Sequence, residues 1–329
     1  MKPEKESFAQ QEDAAPLGNK GWAIADLGSN TFQYAAGIKE GDEILIPYRK
    51  KTGVKLGKDG MGLKKILPEA QSRAIDTLLE FREDFRRLEI PDGQVILYGT
   101  SAFRNAENCT EVMDAVNKAT GFSVEVISGE REAELIFEGV AGSGALHENE
   151  NQLIADIGGG SVEFILCRGK KALKKYSFEI GGLRLMEKFH TIDPMPGYRQ
   201  QELKQFASGA LQLLWNELKD IRIDALVGCS GSFETLAIMD LARTGRNVAA
   251  AEEMSWLPLS ADAFCSLAGE LKDLPLEERL KIPGMLPLRA EMMVAAILLI
   301  EVMLEKTAAR QIRMSAYSLK EGALIQKLR

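Results

Sequence analysis

The sequence predicts an α/β protein built twice over. Strand-like runs alternate with helical ones along the chain, the mark of that class. The stretch "ADLGSN" around Asp26 returns 130 residues later as "ADIGGGS" around Asp156, and strand-like runs flank both copies. Two hairpin-first α/β units imply two similar domains facing each other across a cleft. The expected division is a disordered tail over 1–20, a first domain over 21–150 and a second over 151–329, with the last helix packing back on the first domain.

The elements follow in order. "MKPEKESFAQQEDAAPLGNK" lacks the apolar core of a secretory signal and reads as a disordered tail. "GWAIADLGSNTFQYAAGI" is a hairpin about a Gly28-Ser29-Asn30 turn, and "DEILIPYRKKTGV" is a third strand. From Pro68 to Leu88, Ala74, Leu78, Phe81, Phe85 and Leu88 keep helical spacing. "QVILYG" and "SVEVI" are strands on either side of a helix over 107–120. Ser128 caps a helix over 129–142 whose Ala133, Ile136, Phe137 and Val140 share a face. In the second half, "QLIADIGGGSVEFILC" and "KALKKYSFEI" supply three strands. Helices follow after "GGL" at 181–183 and over 196–221. "DALVGCSGSFETLAIM" reads strand, turn, helix. A long apolar helix over 284–306, the strand "RQIRMS" and the closing helix "SLKEGALIQKL" complete the chain.

Bulk composition narrows the function. The 329 residues are 45% hydrophobic and 27% charged, enough for two cores of a soluble globular protein. A net charge of −7 argues against non-specific binding of nucleic acid or anionic membrane, so phosphate requires a locally prepared site. Cys109, Cys167, Cys229 and Cys265 form no C-x-x-C pair, which points to reduced thiols in the cytoplasm. "MMVAAILLI", between Glu291 and Glu301, is too short to span a bilayer and reads as a buried helix.

Three adjacent glycines, Gly158, Gly159 and Gly160, discard side-chain packing, so bare backbone is needed there. A turn whose N–H groups share one concavity binds anions, and glycine allows both positive φ and close approach. With Ser161, and with Gly28, Ser29 and Asn30 in the first copy, these residues are candidate phosphate turns. "GCSGS" at 228–232 is a third, weaker candidate at a helix start. Asp26 and Asp156 would repel phosphate directly and suit a bridging Mg²⁺, which takes one or two carboxylates plus phosphate oxygens. Glu163 leaves the glycine turn on a strand, and Glu132 sits at the edge of an apolar helical face, where a partly desolvated carboxylate suits a general base. Arg104 follows a strand and has the planar fork suited to phosphate. Each also has a plainer reading: a hairpin turn, a helix-start acid, a surface strand residue, a surface arginine. His147 and His190 lack partners at metal-ligand spacing.

"IADLGSNTFQY", "YGTSAFRNAEN", "VISGEREAELIFEGV", "LIADIGGGSVEFIL" and "FEIGGLRLMEKF", in this order, resemble the exopolyphosphatase/guanosine pentaphosphate phosphohydrolase (Ppx/GppA) family. The resemblance runs from about residue 22 over nearly the whole chain. It implies a duplicated actin-like, ribonuclease-H-like fold, with Mg²⁺-dependent hydrolysis of a terminal phosphoanhydride in polyphosphate or guanosine pentaphosphate. It also implies a homodimer, and the short two-domain form without a helical C-terminal extension. By position, Glu132 matches the glutamate that activates water and Arg104 the phosphate-contacting arginine. Asp156 and Glu163 match acids associated with metal and water, and the two glycine turns match the phosphate loops. Some motifs depart from the family's. Arg131-Glu132 keeps only the second acid of a glutamate pair, and Ser230-Gly231-Ser232 replaces Gly-Gly-Thr. "SAYSLKEG" has Ala316 for Asp and Lys320 for Arg. These departures keep a catalytically weak phosphate-polymer or nucleotide sensor as a second reading, ahead of a phosphotransferase.

Overall fold

A computed structural model describes residues 5–6, 15–252 and 254–329. The chain forms two compact units, one running to Gly139 and taking in Leu319–Arg329, the other spanning Val140–Ser318. Residues 1–4 and 7–14 of the expected disordered tail lie outside the described residues, and its described part is instead ordered, with Lys5–Glu6 pairing with Lys51 and Thr52 and Gly18–Lys20 forming a helical turn.

Among the described residues, the first unit carries a six-stranded sheet. Its strands are β1 (Lys5–Glu6), β2 (Trp22–Leu27), β3 (Thr31–Glu40), β4 (Glu43–Gly53), β5 (Val95–Gly99) and β6 (Val124–Val126). They lie in the order β1-β4-β3-β2-β5-β6. β2, β3 and β4 form an antiparallel meander, and β5 and β6 extend it in parallel with β2. Four helices belong to the same stretch of chain: α1 (Pro68–Arg87), α2 (Ser101–Asn105), α3 (Cys109–Thr120) and α4 (Gly129–Ser143). α1 buries Ala70, Ala74, Leu78, Phe81 and Phe85 at intervals of three and four, one face of a helix. Tyr34 of β3 meets Phe81 and Phe85 edge-on, each at 4.9 Å between ring centres, and so fixes α1 on the sheet.

The second unit repeats the plan with β7 (Asn151–Ile157), β8 (Val162–Arg168), β9 (Lys171–Phe178), β10 (Ala225–Cys229), β11 (Trp256–Ser260) and β12 (Gln311–Ser315). Their order is β11-β12-β10-β7-β8-β9, again a meander extended by two parallel strands. This is the duplicated ribonuclease-H-like build that the resemblance implies. The helices here are α5 (Gly182–Phe189), α6 (Gly197–Ala210), α7 (Gln212–Leu218), α8 (Gly231–Arg243), α9 (Val248–Glu252), α10 (Ala261–Leu271), α11 (Leu276–Arg279), α12 (Pro287–Ala290) and α13 (Met293–Thr307). The last helix, α14 (Leu319–Leu328), rejoins the first unit against β2 and β3.

Two expected helices are each divided. The 196–221 helix breaks at Leu211, which is fully buried and has left helical geometry, giving α6 and α7. Pro287 opens α12 where proline is tolerated, so the helix expected from 284 starts three residues later, and it is interrupted at Glu291 and Met292 before α13. Edge strand β11 and helix α10 fill a stretch in which the sequence suggested no element. α13 is buried on all sides from Met293 to Ile300, the signature of a core helix, and no described helix is long and apolar enough to cross a membrane.

Candidate active site

In each unit, the candidate residues gather at one edge of the sheet, beyond the carboxyl ends of its parallel strands. Ligands of open α/β sheets bind at such edges. In the first unit Leu27 pairs with Gly99, and Gly99 with Val126, so β2, β5 and β6 end side by side. The chain leaves β2 into the Gly28-Ser29-Asn30 turn, β5 into α2 with Arg104, and β6 into α4 with Glu132. Ser128 accepts the Arg131 N–H at 3.1 Å and caps α4 as expected. Glu132 is therefore set one turn into the helix.

Glu132 is buried, at 8% exposure, while Glu134 and Glu138 of the same helix are half-buried. Arg104 Nη1 donates to Glu132 Oε2 at 2.5 Å and to the Ile127 carbonyl at 3.2 Å. Glu132 does lie in the first turn of α4, as its plainer reading has it, but it is buried there, and Arg104 is not an exposed surface residue. The two form one charge-assisted unit that fixes the direction of both side chains. Asp26 Oδ2 accepts from Gln33 Nε2 at 2.9 Å, its register partner across the hairpin.

The second unit places Asp156, Cys229 and Ser315 in register at the ends of β7, β10 and β12. Ser318, three residues beyond β12, donates from Oγ to Asp156 Oδ2 at 2.5 Å, and Cys229 Sγ approaches the same oxygen at 3.5 Å. Burial, then the charge of Asp156, pushes the Cys229 thiol well above its usual range, so it stays protonated. The register partner of Asp156 is Glu163, which is 1% exposed and accepts from Ser177 Oγ at 2.7 Å. The surface-strand reading of Glu163 is thereby excluded. Where the first unit pairs Asp26 with an amide, the second pairs Asp156 with a second carboxylate. Two neighbouring carboxylates, each held by a hydroxyl, form a hard oxygen donor set that fits Mg²⁺. Among the described residues, no group of three or more His, Cys, Asp or Glu side chains forms a metal cluster.

The glycine turns match closely. Gly28 N–H donates to the Thr31 carbonyl at 3.1 Å, and Gly158 N–H to the Ser161 carbonyl at 3.0 Å. The carbonyls of Gly158, Gly159 and Gly160 accept from the N–H groups of Gly182, Leu183 and Gly181 at 2.8, 2.9 and 3.0 Å. In a trans peptide the next N–H points opposite to the carbonyl. The N–H groups of Gly159, Gly160 and Ser161 therefore turn away from α5 to one side, the arrangement that binds anions. In the first unit, Gly57 N–H holds the Ser29 carbonyl at 2.7 Å, while Val54 and Lys55 hold that of Asn30 at 3.0 and 2.8 Å.

One expectation about these turns is corrected. None of Gly28, Gly158, Gly159 and Gly160 has positive φ. At Gly28 and Gly158 close approach crowds a side chain, because an added Cβ would lie 3.0 Å from the Thr31 or Ser161 carbonyl oxygen. A Cβ on Gly181 would lie 2.5 Å from backbone atoms of Gly159 and Gly160. Sequence reading missed Gly181, Ser177 and Ser318, because each reaches its partner only after the chain has left and returned. The third turn is less open than expected. A Cβ on Gly231 would lie 2.1 Å from Nε of buried Arg289, and Ser230 holds φ at +98°.

The model of the Ppx/GppA phosphatase family matches residues 36–329. A solved exopolyphosphatase from Cytophaga hutchinsonii is 39% identical with a TM-score of 0.89, covering 94% of this chain and 97% of that one. The Aquifex aeolicus member of the Ppx/GppA family, 23% identical with a TM-score of 0.76, covers 94% and 97% and shows the same fold. Among curated proteins, a guanosine-5'-triphosphate,3'-diphosphate pyrophosphatase of Vibrio parahaemolyticus is 29% identical over 81% of this chain and 51% of its own length. A bifunctional 3-dehydroquinate synthase/phosphatase of Fusobacterium nucleatum is 30% identical over 65% of this chain and 33% of its own. The chain thus spans about half the length, or less, of these curated relatives.

Proposed function

Because this chain belongs to the Ppx/GppA phosphatase family, we propose that it hydrolyses the terminal phosphoanhydride bond of inorganic polyphosphate or guanosine pentaphosphate, releasing orthophosphate. The observation that carries this reading is the buried Arg104–Glu132 pair at the end of β5 and β6. Phosphoryl transfer requires little covalent chemistry from a protein. It requires a held phosphoryl group, neutralised charge and an aligned nucleophile.

The roles divide accordingly. In the first unit the N–H groups of the Gly28-Ser29-Asn30 turn and the guanidinium of Arg104 hold phosphoryl oxygens, and in the second the N–H groups of Gly159, Gly160 and Ser161 form an anion site. Glu132 accepts a proton from water as the water oxygen bonds to phosphorus. The bridging P–O bond breaks, and the shortened chain leaves with its electron pair. Glu132 is kept in place for this by Arg104 and by its position one turn into α4. Asp156 and Glu163 would hold Mg²⁺, which when bound supplies neutralisation of phosphate charge. Ser318 and Ser177 fix the directions of those carboxylates.

The test is orthophosphate release with Mg²⁺ from tripolyphosphate, long-chain polyphosphate and guanosine pentaphosphate. Release from at least one substrate is expected. Asp156→Asn is expected to raise the Mg²⁺ concentration for half-maximal activity by about tenfold or more, as loss of one hard anionic ligand implies. Direct Mg²⁺ titration by calorimetry should show the same loss. Release from none of the three, with tight binding retained, contradicts the hydrolase and leaves a sensor.

A further inference from the structure

The two units differ in what holds their glycine turns. In the second, Gly181 and Gly182 do so and α5 begins at once. In the first, Val54, Lys55 and Gly57 do so, and the chain runs on until α1 begins at Pro68. The added loop carries Lys58, Lys64 and Lys65, all exposed, with Asp59 as its carboxylate. None of these three lysines makes an ion pair among the described residues.

The loop is firmly built. Glu107 N–H donates to the Lys64 carbonyl at 2.8 Å, and Ile66 and Asn108 exchange two hydrogen bonds at 3.0 and 2.9 Å. Arg73 Nε holds the Val54 carbonyl at 2.8 Å. Lys55, Asp59 and Lys64 sit at φ of 49°, 58° and 51°, a region non-glycine residues rarely adopt and one that persists only where surroundings enforce it. Lys64 and Lys65 line a cavity with Gly57 and with Ala102 and Asn105 of α2, the helix of Arg104. A basic loop thus runs from the clamp on the Ser29 turn to the arginine helix, on a chain whose net charge is −7.

We infer that this loop is a subsite for the phosphates behind the terminal one, and that its preferred ligand is linear inorganic polyphosphate. The inference rests on the hydrolase reading for the position of the terminal phosphate. An ammonium group is a point charge that accepts a phosphate from many directions, which suits a flexible repeating anion. Residues 57–66 contain no aromatic side chain on which a base could stack.

The test is equilibrium binding of long-chain polyphosphate and of tripolyphosphate to the full chain and to a triple variant, Lys58→Gln, Lys64→Gln and Lys65→Gln. Lys219→Gln, at a solvent-exposed site in the other unit, is the charge control. In the triple variant the long-to-short affinity ratio is expected to fall about tenfold, the sum of three exposed charge contacts of ordinary strength. The salt dependence of long-chain binding should weaken with it. The control keeps the wild-type ratio. If the triple variant fails to fold, the single variants carry the test, with about a twofold fall each. An unchanged ratio in a folded variant overturns the inference, as does an equal loss for both anions. Binding is read without turnover, so a failure of hydrolysis counts against the hydrolase reading alone.

Discussion

Replacing Glu132 by Gln is expected to lower kcat for orthophosphate release about 10²- to 10⁴-fold, the contribution of a positioned general base. The amide keeps the shape of the side chain, and its oxygen still accepts from Arg104. Arg104 also remains tied to the Ile127 carbonyl at 3.2 Å, so the phosphate-holding group stays in place. What is lost is the capacity to take a proton. Single-turnover kinetics beside equilibrium binding checks this, with turnover collapsing and affinity within a few-fold of wild type. Some stability goes as well, because a mostly buried guanidinium loses its counter-charge.

Gly181→Ala should have the second large effect, through geometry alone. The new Cβ would sit 2.5 Å from the carbonyl carbon and oxygen of Gly159 and the carbonyl carbon of Gly160. Those are backbone atoms and have no rotamer by which to yield. Overpacking of this kind costs about 1–3 kcal/mol, read as a lower midpoint in denaturant. The turn must also shift, and a displacement of about 1 Å at a positioning group can cost 10²-fold in kcat/KM. Gly197→Ala is the matched control, since nothing lies within 4 Å of its added Cβ. It should leave both quantities near wild type.

These expectations draw on different parts of what the sequence made legible. The repeat at Asp26 and Asp156 shows in structure as two meanders with matching turns, because a hairpin is a local object whose register follows from a few residues. The α1 face was legible for the same reason. The partnership of Arg104 with Glu132 was not, since it depends on β5 and β6 ending together, the two residues standing 28 apart in the sequence. Ser318 meets Asp156 across 162 residues. The clamp of Gly181 on the triple glycine likewise forms only when β9 has returned beside β8. Glycine composition identified the turns, but of the two constraints expected there positive φ is absent. Positive φ is a property of one residue, whereas close approach belongs to two segments. Helical spacing placed Glu132 at the edge of the apolar face of α4 but left the helix-start reading open, and the family resemblance made it the leading candidate. Its burial is a consequence of tertiary packing.

The most direct test of hydrolysis at the chain end is the fate of oxygen. The reaction is run in ¹⁸O-labelled water with polyphosphate, and the orthophosphate and residual chain are separated and weighed by mass spectrometry. Attack by water on the terminal phosphorus predicts one labelled oxygen in each orthophosphate released and none in the shortened chain. Label in the residual chain would place the attack on the penultimate phosphorus, and transfer of unlabelled phosphate to an acceptor hydroxyl would mark a phosphotransferase. Either result would contradict the account.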